Sequence, residues 1–304
     1  MPFIEEVFTP KTPTKAAKFV AEVLACSLKQ AQSHIDRGRL CTLQGQKLHK
    51  AQILDQPVRL LFFKSAPKPK IAPIFNTPFF ALYYKPKNLY SHPKNHHTDS
   101  LYESIYAHNP QARLIHRLDY ETSGLILVSQ SKAHENALRE LFSLRRIQKT
   151  YLASVQGDLR LYASGAFSVI LPILEPSSIR GDLGVRSKIS TQGKFSATTI
   201  EILGYNPQTN QTHLKITPLT GRTHQIRLHL SALGFPIVGE PLYTEDTQAR
   251  AYLDAKKADF LGEWATWQTQ LALEAVGLDF KLWGLFFSLR LPQQQKESHE
   301  ISGL

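Results

Sequence analysis

Cysteine is scarce: Cys26 and Cys41 are the only two in 304 residues. Two cysteines cannot staple a chain of this size, and they fit no metal-ligand spacing, so a reducing compartment suits the protein. No apolar run approaches the roughly 20 residues that a membrane helix needs. The stretch from Met1 to Lys11 lacks the apolar core of a secretory signal. The expectation is a cytoplasmic protein with no membrane partner. No internal repeat is visible. Acidic residues are outnumbered, 25 Asp and Glu against 36 Lys and Arg, giving a net charge of +11. A soluble chain this basic often meets nucleic acid. The excess is uneven: residues 1–70 hold 12 Lys and Arg but 5 Asp and Glu. The basic arm is N-terminal, and the larger remainder is nearly balanced.

With 42% hydrophobic residues, the chain can bury one large core and a small satellite. Residues 12–63 read as that satellite. Thr14 is placed to cap a helix with Ala16, Phe19, Val20, Val23 and Leu24 on one face. A second helix is predicted from Leu28, with Ala31 and Ile35 inward and Gly38 as its stop. Leu40 to Leu43, Gln44-Gly45-Gln46 and Leu48 suggest a hairpin, and Val58 to Phe63 a strand. Two helices, a glycine-containing turn and short strands, with Arg37 and Arg39 at the helix exit, resemble the S4-like RNA-binding domain. By that resemblance residues 1–63 form a small α+β domain. Its Lys15, Lys18, Lys29, Arg37, Arg39 and Lys47 would meet RNA phosphates. Residues 64–73, rich in proline and lysine, are expected to be an extended linker. From 74 to 292 predicted strands and helices alternate, an α+β pattern with a mixed, mostly antiparallel sheet flanked by helices. Residues 293–304 read as a polar tail.

The most informative segment is His116-Arg117-Leu118-Asp119-Tyr120-Glu121-Thr122-Ser123-Gly124, followed at once by Leu125-Ile126-Leu127-Val128. A charged cluster ends where a buried strand begins, which sets one carboxylate at the floor of a cleft. The order His-Arg-Leu-Asp, two spacers, Thr-Ser-Gly resembles the catalytic motif of the RluA/RluD-type pseudouridine synthases. Further matches stand in order. They are Lys85-Pro86-Lys87-Asn88 with Ser91-His92-Pro93, Lys149-Thr150-Tyr151, Gly193-Lys194 with Ala197-Thr198, Thr220 through His229, and Phe235 through Gly239. Two long motifs with ordered partners are far more specific than one short match.

The resemblance implies an RNA-modifying isomerase that needs neither cofactor nor metal, acting on ribosomal large-subunit RNA or transfer RNA, with a monomer as the default. It assigns Asp119 as the catalytic carboxylate, Tyr151 to stacking on the uracil, and Arg222 to pairing with Asp119. A carboxylate in a partly dry site tends to take up a proton, so a fixed guanidinium must oppose this. Arg117 would fill the gap left by the flipped uridine. His116 is expected to orient the loop, and Thr122 to shape the turn. Lys85, Thr223, His224 and Arg227 complete the expected substrate contacts, with Arg227 and His229 reaching towards backbone phosphate. Asn88, Glu240, Thr244 and Glu274 depart from the family's usual residues, which weakens transfer of fine specificity. Two other readings compete: an RNA binder with an idle site, and a metal-dependent hydrolase. Twelve histidines invite the latter, including His96-His97. His224 and His229, however, lie about 140° apart on a helix, a poor chelate.

Overall fold

The computed structural model describes residues 3–63, 71–93, 100–176, 185–260 and 270–291. The chain divides into two compact units, Met1–Pro67 with Lys257–Ala265 and Lys68–Lys256 with Thr266–Leu304. Residues 64–70 of the expected linker, the tail from 293, and His96-His97 fall outside the described residues.

In the smaller unit, strand β1 (Phe3–Phe8) pairs with a later strand, and β2 (Thr14–Lys15) leads into helix α1 (Ala16–Val23). Thr14 does not cap α1. Lys15 holds the cap position, and the Thr14 hydroxyl donates to the Thr12 carbonyl at 2.9 Å. Helix α2 (Leu28–Asp36) starts with a reciprocal cap: Ser27 accepts from the Gln30 N–H, and the Gln30 side chain accepts from Ser27 N–H. Strands β3 (Leu40–Thr42), β4 (Ile53–Leu54) and β5 (Val58–Phe63) follow, and β1, β5 and β3 form one antiparallel sheet. Phe19, Val20, Ala31, Ile35, Leu40 and Leu60 close a core between helices and sheet.

The larger unit is built on a ten-stranded sheet among the described residues. Strands β6 (Phe75–Asn76) and β7 (Phe80–Lys85) are followed by helix α3 (Leu101–Tyr106), capped by Ser100. Then come β8 (Arg113–Leu114), the fully buried β9 (Ser123–Ser129), helix α4 (Lys132–Ser143) and β10 (Ile147–Gln156). Strands β11 (Ala166–Ile170), β12 (Ile173–Leu174), β13 (Lys188–Ile189), β14 (Ala197–Asn206) and β15 (Gln211–Pro218) precede α5 (Gln225–Ala232) and α6 (Asp246–Phe260). The hairpin β16 (Leu273–Leu282) and β17 (Leu285–Arg290) follows.

Within the large sheet the strand order is β11-β14-β15-β10-β16-β9-β7-β6, with β17 on β16 and β8 on β9. Every pairing is antiparallel except β9 with β16. That parallel contact covers only Ser123 opposite Glu274 and Gly124 opposite Ala275, before β16 turns its edge to β17. The sheet therefore splays where β9 begins. Register slips on the other edge of β16 as well, between Thr150 and Tyr151 of β10. The additional residue is Val276 of β16, between Ala275 opposite Tyr151 and Gly277 opposite Thr150, and such an insertion bends the strand that carries it. Tyr151 packs against two clusters. One is built from β10, β14, β15 and α5, the other from β7, β9, α3 and the loop carrying Leu118.

Candidate active site

The splayed strand ends surround a cavity of about 250 Å³. His116, Arg117, Asp119 and Thr122 line it from the loop before β9, Lys149 and Tyr151 from β10, and Thr220 to Arg227 from the turn into α5.

The loop holding Asp119 is pinned from several sides. The Ser91 hydroxyl donates to the Leu118 carbonyl at 2.8 Å and accepts from the Leu118 N–H at 3.0 Å. His116 Nε2 accepts from the Leu127 N–H at 2.9 Å, and its ring stacks on Phe142 at 4.7 Å. Burial, with Lys149 nearby, pushes the His116 imidazole down to about 3, so it stays neutral. Lys85 is wholly buried, and its ammonium donates to the carbonyls of Pro86, Leu89 and Tyr120 at 2.8, 2.8 and 3.2 Å. It lies outside the cavity lining, so it braces the loop from beneath instead of offering a substrate contact as expected. Burial lowers Lys85 to about 7, although Asp119 and Glu121 pull the other way. Asn88, beside this lysine, takes φ of 58°, a left-handed turn that asparagine tolerates. Gly124 takes φ of 119°. A Cβ there would run into the Ala275 carbonyl and lie 2.5 Å from the Ala275 nitrogen, so only glycine lets β9 meet β16.

The cation facing Asp119 is Arg227. Its Nη1 lies 3.8 Å from Asp119 Oδ2, while Arg222, in the cavity wall, donates from Nε to the Phe195 carbonyl at 3.2 Å. The expected partner is thus replaced by a residue five positions later, for a reason that lies in α5. Gln225 through Leu230 are all buried, so the helix has no solvent face along this stretch. Arg227 and His229 are both 0% exposed, which removes the phosphate contacts expected of them. Arg227 forks onto Glu240, with Nε to Oε2 at 2.7 Å and Nη2 to Oε1 at 2.6 Å, and Nη1 donates to Glu121 Oε2 at 2.9 Å. Burial alone would lower the Arg227 guanidinium, but Glu240, Glu121 and Asp119 outweigh it and raise it. His229 bonds Thr198, Ser196 and the Leu171 carbonyl.

The turn before α5 is held by Gln225. Its Oε1 accepts from the Thr220 hydroxyl at 2.6 Å and the Arg222 N–H at 3.1 Å, and its Nε2 donates to the Ala197 carbonyl at 2.9 Å. Thr223 is tied through its carbonyl to the Ser187 hydroxyl, and His224, at φ of 56°, bonds the Tyr243 hydroxyl. Burial lowers the His224 imidazole, against the pull of Asp119. Tyr151 lines the same cavity as Asp119, and its phenol is raised by burial and by the Asp119 charge, so it remains protonated. Arg117 is exposed at the rim.

No site role was expected of Lys149, Glu121, Glu240 or Tyr252, although Lys149 and Glu121 stand inside the matched motifs and Glu240 was noted as a departure. Lys149 lines the cavity, donates to the Thr220 carbonyl at 3.1 Å, and is lowered by burial to about 8. Glu121 is buried despite lying between polar neighbours in sequence, and nothing in the local pattern distinguishes it from a solvated acid. Glu274, one of the departures, accepts from the Tyr84 hydroxyl at 2.8 Å.

Asp119, the buried Arg227 guanidinium and Tyr151 meet at this cavity, with Arg227 beside the carboxylate where the resemblance implied Arg222. Comparison with known proteins places the chain in a family. Residues 80–232 match the family model described as RNA pseudouridylate synthase. The chain belongs to that family. It is 43% identical to an uncharacterized RNA pseudouridine synthase of Helicobacter pylori, over 97% of this chain and 96% of the relative. It is 36% identical to the dual-specificity RNA pseudouridine synthase RluA of Escherichia coli, over 55% and 74% of the two chains. In fold it resembles human RNA Pseudouridylate Synthase Domain Containing 1, with a TM-score of 0.55 at 23% identity over 75% of this chain and 86% of the other. Within the family the chain is of the RluA type, an isomerase acting on RNA.

Proposed function

We propose that this RNA pseudouridine synthase isomerises uridine in ribosomal large-subunit RNA, with Asp119 as the acting carboxylate. Transfer RNA is the second candidate. The reaction breaks the bond from ribose C1′ to uracil N1, turns the base and joins C1′ to C5. The hydrogen leaves C5, and N1 gains a proton. It is redox-neutral. One observation carries the reading: Asp119 lines the cavity with its carboxylate 3.8 Å from a buried guanidinium that two other carboxylates hydrogen-bond. A guanidinium so held presents a fixed positive charge to the Asp119 carboxylate. Tyr151 can stack on the uracil, and its protonated hydroxyl can take part in moving the C5 hydrogen. Arg117, exposed at the rim, can stack where the extruded base stood, offsetting a few kcal/mol of lost stacking.

The smaller unit is proposed to be S4-like and to grip RNA phosphates. Arg37, Lys47 and Arg39 gather around the Gly38 turn. A Cβ on Gly38 would meet Lys47 Cε at 2.9 Å, and Arg39 is lowered by burial and by repulsion from Arg37. Like charges held together favour an anion between them. Lys15, Lys18 and Lys29 are exposed along the helices. Activity as a cytoplasmic monomer belongs to the same proposal. Pseudouridine mapping by carbodiimide labelling and primer extension, on total RNA from cells with and without the gene, tests it. A missing stop in large-subunit RNA supports the reading. Loss confined to transfer RNA shifts the substrate, and no change anywhere refutes it.

A further inference from the structure

Among the described residues, helix α6 gives no side chain to the cavity lining, yet two of its side chains reach the carboxylate next to the reacting one. Glu121, two positions after Asp119, has its side chain 3% exposed. It accepts from Arg227 Nη1 at 2.9 Å, from Lys256 Nζ at 3.1 Å and from the Tyr252 hydroxyl. Lys256 Nζ also donates to the Tyr252 oxygen at 3.2 Å and lies 3.7 Å from the centre of the Tyr120 ring, between Asp119 and Glu121 in the chain.

A single nitrogen, Arg227 Nη1, serves two carboxylates: Glu121 at 2.9 Å and Asp119 at 3.8 Å. Nε and Nη2 of that guanidinium donate to Glu240. Glu121 holds the nearer contact with Nη1 and Asp119 the longer one, so the two carboxylates share one cationic nitrogen where charge is weakly screened. Lys256 supplies Glu121 with a second cation from the far side. Tyr252, four residues earlier on the same helix face, adds a neutral donor. We propose that Lys256 and Tyr252 are positioning residues for the isomerisation: by satisfying Glu121 from α6, they leave Arg227 free to hold Asp119. Lys85 cannot replace Lys256 in this, since its three hydrogen bonds go to backbone carbonyls. The charged and titratable groups facing Asp119 are Arg227 from α5, His224 at the start of that helix, Lys85 from β7 and Tyr151 from β10. A change at Lys256 alone removes none of these groups.

This inference rests on Asp119 as the acting carboxylate, and the two can fail separately. The test measures kcat, KM and the pH profile of the full chain on RNA tritiated at uridine C5. Lys256→Met, Lys256→Arg and Lys256→Met combined with Glu121→Gln are compared with Asp119→Asn. Lys256→Met should lower kcat about tenfold with KM within about twofold, the pattern of an interaction acting on the chemical step. The pH below which kcat falls should move upward, because one cation has left the network. Lys256→Arg should restore most of kcat. So should Glu121→Gln on top of Lys256→Met, since the pair is then removed together. Wild-type kcat in Lys256→Met overturns the inference, as does a loss confined to KM or one that neither rescue repairs. An active Asp119→Asn overturns the reading beneath it instead.

Discussion

At the scale of single residues, two arginines exchange their expected parts. Arg222 sits at the cavity wall and bonds one carbonyl, whereas Arg227 joins three carboxylates in the interior. Removing a partner from a buried ionic network strands the charges that remain, which costs about 3–5 kcal/mol. Arg227→Ala should lose that much in urea denaturation. Arg222→Ala should change stability by less than about 1 kcal/mol. Equal losses would contradict the assignment. His116 sets a pH limit on the fold. Its folded value, about 3, lies below its ordinary 6.5. Between those values the unfolded chain binds a proton that the folded chain refuses. The stability this provides is complete above pH 6.5 and is lost progressively down to about 3, an interval worth at most about 5 kcal/mol. Glu121, held low because Arg227 and Lys256 outweigh its burial, adds to the loss below its ordinary 4.5. Chemical denaturation across pH 7 to 4 should show this fall. His116→Gln should flatten the upper part of it, and an unchanged slope in that variant would refute the cause given.

At the scale of elements, strands β7, β9 and β10 were legible because their apolar runs and turn residues are local signals. The stop at Gly38 was legible for the same reason. Helix α5 was found, but its surroundings were not. Periodicity marks an inward face, and no local signal tells that a helix carrying Arg227 and His229 is enclosed on every side. Partners such as Glu121 and Glu240 come from distant segments, so a charge network of this kind has no short-range signature. Strand β1 was missed because its residues alternate weakly near a chain end, with Val7 58% exposed. Gly124 was read as part of the motif, but its cause lies across the sheet in the backbone of Ala275. Gly124→Ala combines a left-handed φ with backbone overlap, so it should cost more than about 3 kcal/mol or push the Asp119 loop out of place. Thermal denaturation and kcat together check this: a variant wild-type in both would show that the close approach is not required.

At the scale of the whole molecule, charge is concentrated in the first 70 residues while the chemistry sits in the larger unit. This division expects RNA affinity and turnover to be separable. Replacing Arg37, Arg39 and Lys47 together by glutamate should weaken RNA binding and reduce the salt slope of log Kd by about one for each phosphate no longer neutralised. At saturating RNA, kcat should remain. A collapse of kcat with unchanged affinity would invert the division. The central claim, that Asp119 held beside Arg227 carries out the isomerisation, is tested most directly by Asp119→Asn. This isosteric change removes the charge and keeps the shape. Single-turnover release of tritium from uridine C5 should fall by at least about a thousandfold while RNA affinity stays within a few fold. Turnover within about tenfold of wild type would contradict the account.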